Sequence, residues 1–195
     1  LQVNFRGSSG RGKAFLDAGL GQWGAAMQHD LEDTVAWAIA EGHATAGAIC
    51  AVGASYGAYA SMLALANAPE TFACGVGEVG LYDLTAWEES ADVGRYRRAR
   101  EAVGQSIGDV DRAAISPITH AARIQDPVLL HAGALDQRTP PAQTTAFAEA
   151  LRKAGVDVDL KVYPGEGHGL YALANRRDRA TRLLGFLRKH LPPAP

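Results

Sequence analysis

The sequence predicts an α/β fold, a mostly parallel sheet with helices on both faces. Three observations carry that reading. Short apolar runs alternate along the chain with segments of helical period. Glycine is in excess, at 22 of 195 residues, and the glycines gather where the short runs end, as strand-to-helix turns require. A content of 47% hydrophobic and 21% charged residues is that of a globular chain with one core, not of a disordered, fibrous or coiled-coil sequence.

Taken in order, residues 1–5 read as a strand. A helical pattern covers residues 29–41, with Leu31, Val35, Ala38 and Ile39 on one face. The apolar run 48–52 leads through a glycine turn into a helix over residues 57–68 that Pro69 stops. Residues 74–79 form the next run. Residues 87–112, carrying Arg95, Arg97, Arg98, Arg100 and Glu101, read as a polar helical excursion with a solvated face. The run 128–132 precedes a helix from Pro141 to Lys153, where Phe147 and Leu151 lie one turn apart and Gly155 closes the end. Residues 156–163 alternate apolar and polar as a strand does, residues 176–191 place Leu183, Leu184 and Leu187 on one side of a last helix, and Pro192 to Pro195 read as a frayed tail. The reading is one domain spanning residues 1–195.

Nineteen basic against twenty-one acidic residues leave a net charge of -2, so no electrostatic footprint for nucleic acid or an anionic membrane is present. The longest apolar runs fall well short of the roughly 20 residues of a membrane span. Cys50 and Cys74 each sit inside an apolar stretch and are expected as buried free thiols. Neither has a partner at metal-site spacing, and no metal or other cofactor is expected.

The chemistry concentrates at Gly53-Ala54-Ser55-Tyr56-Gly57, which fits G-x-S-x-G, a tight turn that lifts a serine hydroxyl above the sheet. Both glycines are expected because a side chain at either place would collide with the neighbouring strand or helix. The pattern alone is weak, and it recurs at Gly104-Gln105-Ser106-Ile107-Gly108. Context separates the two: Ser55 follows an apolar run and precedes a helix, whereas Ser106 has no strand before it.

A serine hydroxyl needs a base to remove its proton, and the base needs a carboxylate to orient it. Of six histidines, His29, His43, His120, His131 and His190 fall on helices, turns or a strand where packing or solvation accounts for them. His168 differs, because Pro164-Gly165-Glu166-Gly167-His168-Gly169 sets it on a loop directly after a strand. Loops leaving the carboxyl ends of parallel strands share one edge of the sheet, so His168 and Ser55 can meet there. Asp136, four residues beyond the run 128–132, leaves the same edge, with Asp83 as the fallback. The order Ser55, Asp136, His168 is that of α/β hydrolases.

Residues 4–12 (Asn-Phe-Arg-Gly-Ser-Ser-Gly-Arg-Gly), Gly21-Gln22-Trp23-Gly24, the run Val52 through Tyr59, residues 72–76, Ser116-Pro117 and residues 133–140 together resemble the catalytic domain of the prolyl oligopeptidase family of serine peptidases, most of all its acylaminoacyl-peptidase and dipeptidyl-peptidase branches. The resemblance implies an α/β-hydrolase fold that acts on peptide or ester substrates through an acyl-enzyme. It assigns Ser55 as nucleophile, His168 as general base and Asp136 as its orienting acid. It makes the Tyr56 backbone N–H an oxyanion donor, gives Arg138 a substrate carbonyl to hold, and sets Tyr82 against the pocket for the residue before the scissile bond.

One departure matters. Family members begin this domain with three more strands, and the strand equivalent to residues 1–4 is the fourth. The third pairs between the fourth and fifth, and the loop after it brings a second oxyanion donor. Neither is in residues 1–195, so the chain is expected to be the C-terminal part of the domain, lacking its N-terminal strands, with the remainder of a longer polypeptide or a partner chain completing the sheet.

Other readings compete. A carboxylesterase would use the same three side chains, and a catalytically silent binding module would keep the fold without the chemistry. Gly7 through Lys13 satisfies G-x-x-x-x-G-K of a phosphate-binding loop, but Ala14 stands where the Mg²⁺-holding hydroxyl belongs.

Overall fold

The computed structural model describes residues 1–191; the tail 192–195 lies outside the described residues. Its elements are α1 (Lys13–Asp17), α2 (Ala26–Ala40), β1 (Cys50–Ala54), α3 (Tyr56–Asn67), β2 (Cys74–Glu78), α4 (Leu84–Ser90), α5 (Arg97–Ile107), β3 (Val128–Gly133), α6 (Pro141–Lys153), β4 (Val158–Tyr163) and α7 (Leu173–His190), with short 3₁₀ turns at Asp92–Arg95 and Pro117–Arg123. Every strand pair is parallel, and the order in space, β1-β2-β3-β4, is the order in sequence.

The pleat divides the core in two. On β3, Val128 and Leu130 point to the face covered by α3 and α6, where they meet Met62, Leu65, Phe147 and Leu151. Leu129 points to the opposite face, where with Cys74 and Val76 it packs on Phe186 and Leu187 of α7. All six residues of β3 are buried, as a strand covered on both faces must be. Helix α3 is buried along its whole middle, Ala58 through Ala66. Its second side packs against a further cluster of Leu81 and Leu84 with Trp87 and Ile107 of the polar excursion. That excursion is helical as expected, and its Arg97–Glu101 pair lies in solvent.

Two expectations are overturned. Cys50 and Cys74 are not free thiols but form a disulfide. The β1–β2 register sets them directly opposite each other, with Cα atoms 4.7 Å apart. Residues 1–5 form no strand. A strand exists only when a neighbour takes its backbone groups, and among the described residues no strand pairs with the outer edge of β1. Leu1, Val3 and Phe5 instead line a groove of about 1010 Å³ shared with Cys50, Ala51 and Val52 of that edge. The segment is held at its far end by Arg6, whose guanidinium makes a two-pronged contact with Asp30 of α2 at 2.8 and 2.6 Å.

Among the described residues, Asp126, at the entrance to β3, is the one carboxylate held clearly above its usual range, to about 6, because burial disfavours its charge; its Oδ2 is buried with no partner there. The folded chain therefore keeps a proton that the unfolded chain has released between the ordinary value of 3.8 and about 6. Stability falls as pH rises through that window. Asp126→Asn is expected to raise stability at pH 7 by about 1 kcal/mol, allowing for solvent screening of a half-buried group, and to change it little at pH 4. Thermal unfolding of both proteins across pH 4–7 measures the difference.

Candidate active site

Three side chains far apart in sequence meet above the carboxyl ends of the strands. Ser55 stands in the turn from β1 to α3 with φ 55° and ψ -120°, a strained geometry for a residue with a side chain. Its N–H donates to the Glu78 carbonyl at 2.9 Å, so the adjacent strand fixes the turn. The turn closes only because Gly53 has no side chain: a Cβ there would stand 2.1 Å from the Gly57 carbonyl oxygen. Gly57 differs from expectation. A Cβ at Gly57 would meet nothing within 4 Å, because that position looks into the groove beside the open edge of β1.

Asp136 sits in the turn after β3, its side chain fully shielded from solvent. Oδ1 accepts from the Arg138 and Thr139 N–H groups, both at 2.9 Å, and Oδ2 accepts from the Thr139 hydroxyl at 2.7 Å. Burial pushes this carboxyl up, but the bond to His168 and the two bonds from Thr139 outweigh it and hold the group below the usual range.

His168 completes the set. With Nδ1–H donating to Asp136 Oδ2 at 2.8 Å, Nε2 is the accepting nitrogen and faces Ser55 Oγ at 3.1 Å. The loop that carries it presses onto β3 at Gly133, where a Cβ would stand 2.1 Å from the Gly167 carbonyl oxygen. The loop is braced from within by buried Glu166, whose carboxylate accepts from Tyr171 N–H at 2.8 Å, Ala172 N–H at 3.0 Å and Asn175 Nδ2 at 2.7 Å. These bonds, the Tyr171 N–H foremost, hold its carboxyl below the usual range. The Glu166 carbonyl takes the Leu135 N–H at 2.8 Å, which ties the histidine loop to the aspartate turn.

Tyr56 is the first residue of α3, so its N–H has no acceptor within the helix. Its ring is held among Phe5, Trp23 and Tyr59, with centroids 4.6 to 5.5 Å away. Arg138 is exposed; its carbonyl accepts from Trp87 Nε1 at 2.6 Å, and its guanidinium has no ion pair among the described residues. Tyr82 is a correction. It is fully buried and stacked on Phe147 with centroids 4.5 Å apart, in core space left open by Gly77 and Gly80, and it lines no surface that a substrate can reach. Asp83, the fallback acid, instead caps α4 by accepting from Ala86 N–H at 3.1 Å. Ser106 accepts from Trp23 Nε1 at 3.1 Å, a packing role. Among the described residues no group of acidic, histidine or cysteine side chains has the arrangement of a metal site.

The sequence reading passed over two residues. Thr139 joins Asp136 to the Val79 carbonyl, 2.9 Å from its hydroxyl, and that hydroxyl lies 3.1 Å from His168 Nδ1. Glu166 braces the loop. Their positions, three residues after the aspartate and two before the histidine, were the available signals.

The profile of the prolyl oligopeptidase family matches residues 1–193. The chain belongs to that family. Among its curated prolyl oligopeptidase relatives, it is 36% identical over 198 residues to dipeptidyl peptidase family member 6 of Caenorhabditis elegans, covering 98% of this chain and 27% of the relative. It is 34% identical to dipeptidyl aminopeptidase BIII of Pseudoxanthomonas mexicana over 193 residues, covering 96% and 28%. Of solved structures, a puromycin-hydrolyzing peptidase of Mycobacterium tuberculosis superposes with a TM-score of 0.90 at 25% identity, covering 99% of this chain and 29% of that one. The chain thus spans little more than a quarter of these relatives' length, and its four parallel strands with helices on both faces are part of an α/β-hydrolase fold.

The first glycine of the serine turn should not tolerate a side chain. Gly53→Ala is expected to cost more than about 4 kcal/mol, since backbone rather than a flexible side chain occupies the space. Urea unfolding of the variant and the parent measures the loss.

Proposed function

We propose that residues 1–195 are the C-terminal part of the catalytic domain of a serine hydrolase that cleaves peptide bonds, acylaminoacyl or oligopeptide, through an acyl-enzyme on Ser55. The observation that carries this is the unbroken chain of contacts from Asp136 through both nitrogens of His168 to the Ser55 hydroxyl. Ser55 Oγ attacks the substrate carbonyl carbon as its proton passes to His168 Nε2. Asp136, ionised and buried, stabilises the imidazolium that results. The tetrahedral oxyanion is met by the Tyr56 N–H, which α3 leaves without an acceptor. Collapse expels the leaving amine, which takes the proton from Nε2, and a water molecule repeats the attack to release the acyl group and restore Ser55. Arg138, whose guanidinium is free to turn toward the site, holds a substrate carbonyl.

The second oxyanion donor comes from outside these residues, along with a strand that docks on the outer edge of β1. Two features support that completion. Val52 is 48% exposed on an edge strand whose backbone groups face a groove, and such edges are covered in stable proteins. The open space beside Gly57 leaves room for the neighbour.

A fluorophosphonate probe is expected to label Ser55 in the completed protein, with labelling abolished in Ser55→Ala. Asp136→Asn, which leaves His168 in the wrong tautomer, should lower kcat by about 10⁴-fold. Labelling that persists in Ser55→Ala overturns the assignment. For the completing strand, the purified material is expected to contain chain beyond these residues by intact mass and N-terminal sequencing. A monomeric, fully active species of residues 1–195 alone would refute that part.

A further inference from the structure

A cavity of about 540 Å³ opens beside His168, between the carboxyl ends of β1 to β3 and the first turns of α7. Its wall includes Ala54, the residue before Ser55, together with Glu78, His131, His168, Arg176 and Arg177. The mechanism uses only one of these side chains. His131 is 2% exposed, and among the described residues neither of its ring nitrogens has a hydrogen-bond partner. The nearest acidic oxygen, Glu78 Oε1, is 3.5 Å from Nδ1, beyond hydrogen-bond range. Glu78 is already engaged, since the guanidinium of Arg179 bonds both its oxygens at 2.7 Å, and that pair is neutral overall. Arg176 and Arg177 make no ion pair among the described residues.

The cavity therefore holds two uncompensated cations at its mouth and, in its wall, an imidazole whose Nε2 has no partner among the described residues, so that the tautomer protonated there presents an unmet N–H. A buried donor without an acceptor is a cost that a bound group with acceptor oxygens removes. Two guanidinium groups select for an anion, and a planar carboxylate suits their fork geometry. The location says which carboxylate. His168 delivers its proton to the leaving group, so the part of the substrate departing after cleavage lies on the side of His168, where this cavity opens.

We propose that the cavity is a subsite for a carboxylate on the leaving-group side of the substrate, with Arg176 and Arg177 supplying the charge and His131 a ring N–H. The chain would then favour substrates whose released portion is a short peptide ending in a free carboxyl group. This rests on the hydrolase reading above, and the test keeps the two apart.

The test titrates the full chain carrying Ser55→Ala with alanyl-alanine and with alanyl-alanine amide, following heat of binding. The acid is expected to bind at least about tenfold more tightly than the amide. In Arg176→Gln/Arg177→Gln that preference should vanish, and in Arg176→Lys/Arg177→Lys it should survive in part, because charge is kept and the fork is lost. Equal affinity for acid and amide, absence of binding, or a preference unchanged by the double glutamine variant overturns the proposal. So does acetate bound as tightly as the dipeptide, which would make the cavity an unselective anion site. Fluorophosphonate labelling of the unsubstituted chain reads the hydrolase assignment separately: no labelling alongside an intact acid preference would overturn the chemistry and leave the subsite standing.

Discussion

The arrangement turns on one buried carboxylate. Asp136 has no solvent contact through its side chain, and an ion taken out of water costs several kcal/mol unless its lone pairs are met. Here they are, by two backbone N–H groups, the Thr139 hydroxyl and the imidazole of His168. Remove any donor and the carboxyl drifts toward its neutral form, which cannot hold the imidazole in the tautomer that leaves Nε2 free to accept. Ionisation of Asp136 and orientation of His168 are therefore one condition, not two. That condition is set by a turn of four residues at the end of β3.

The turn in turn depends on what lies under it. β3 is buried along its whole length between α3 with α6 on one side and α7 on the other, so packing on both faces fixes where its carboxyl end lies. Gly133, the last residue of β3, lets the histidine loop lie against the strand, and Glu166 fastens that loop to the start of α7. A histidine on a glycine-rich loop would otherwise sample many positions. Preorganisation of this kind is what turns proximity into a usable orientation.

Much of this was legible in the sequence, for a physical reason. Alternation of strand and helix forces parallel pairing, and parallel pairing brings the loops after β1, β3 and β4 to one edge, so Ser55, Asp136 and His168 could be expected together from pattern alone. What pattern could not reveal is whatever depends on a partner distant in the chain. Residues 1–5 carry a strand's composition, but a ladder needs a neighbour. Cys50 and Cys74 look like ordinary core residues until the register sets them opposite each other. Tyr82 was legible as a residue near the site, yet its direction is decided by the vacancies at Gly77 and Gly80 and by the face of Phe147. Thr139 matters because it reaches the carbonyl of Val79, 60 positions away, and no local spacing encodes that.

Val79 also explains how the three side chains keep their geometry beside an open sheet edge. It has φ 43°, in the left-handed region that a β-branched residue enters at a cost of about 1–3 kcal/mol. Its N–H donates to the His131 carbonyl of β3 at 2.8 Å, and its own carbonyl shares the single Thr139 hydroxyl proton with Asp136 Oδ2. One residue earlier, the Glu78 carbonyl receives the N–H of Ser55. The end of β2 therefore anchors the serine turn on one side and the aspartate turn on the other, and both anchors lie inward of β1. A strand seated on the outer edge of β1 would leave both anchors untouched. A strand docking there would add an oxyanion donor without needing to move Ser55, Asp136 or His168.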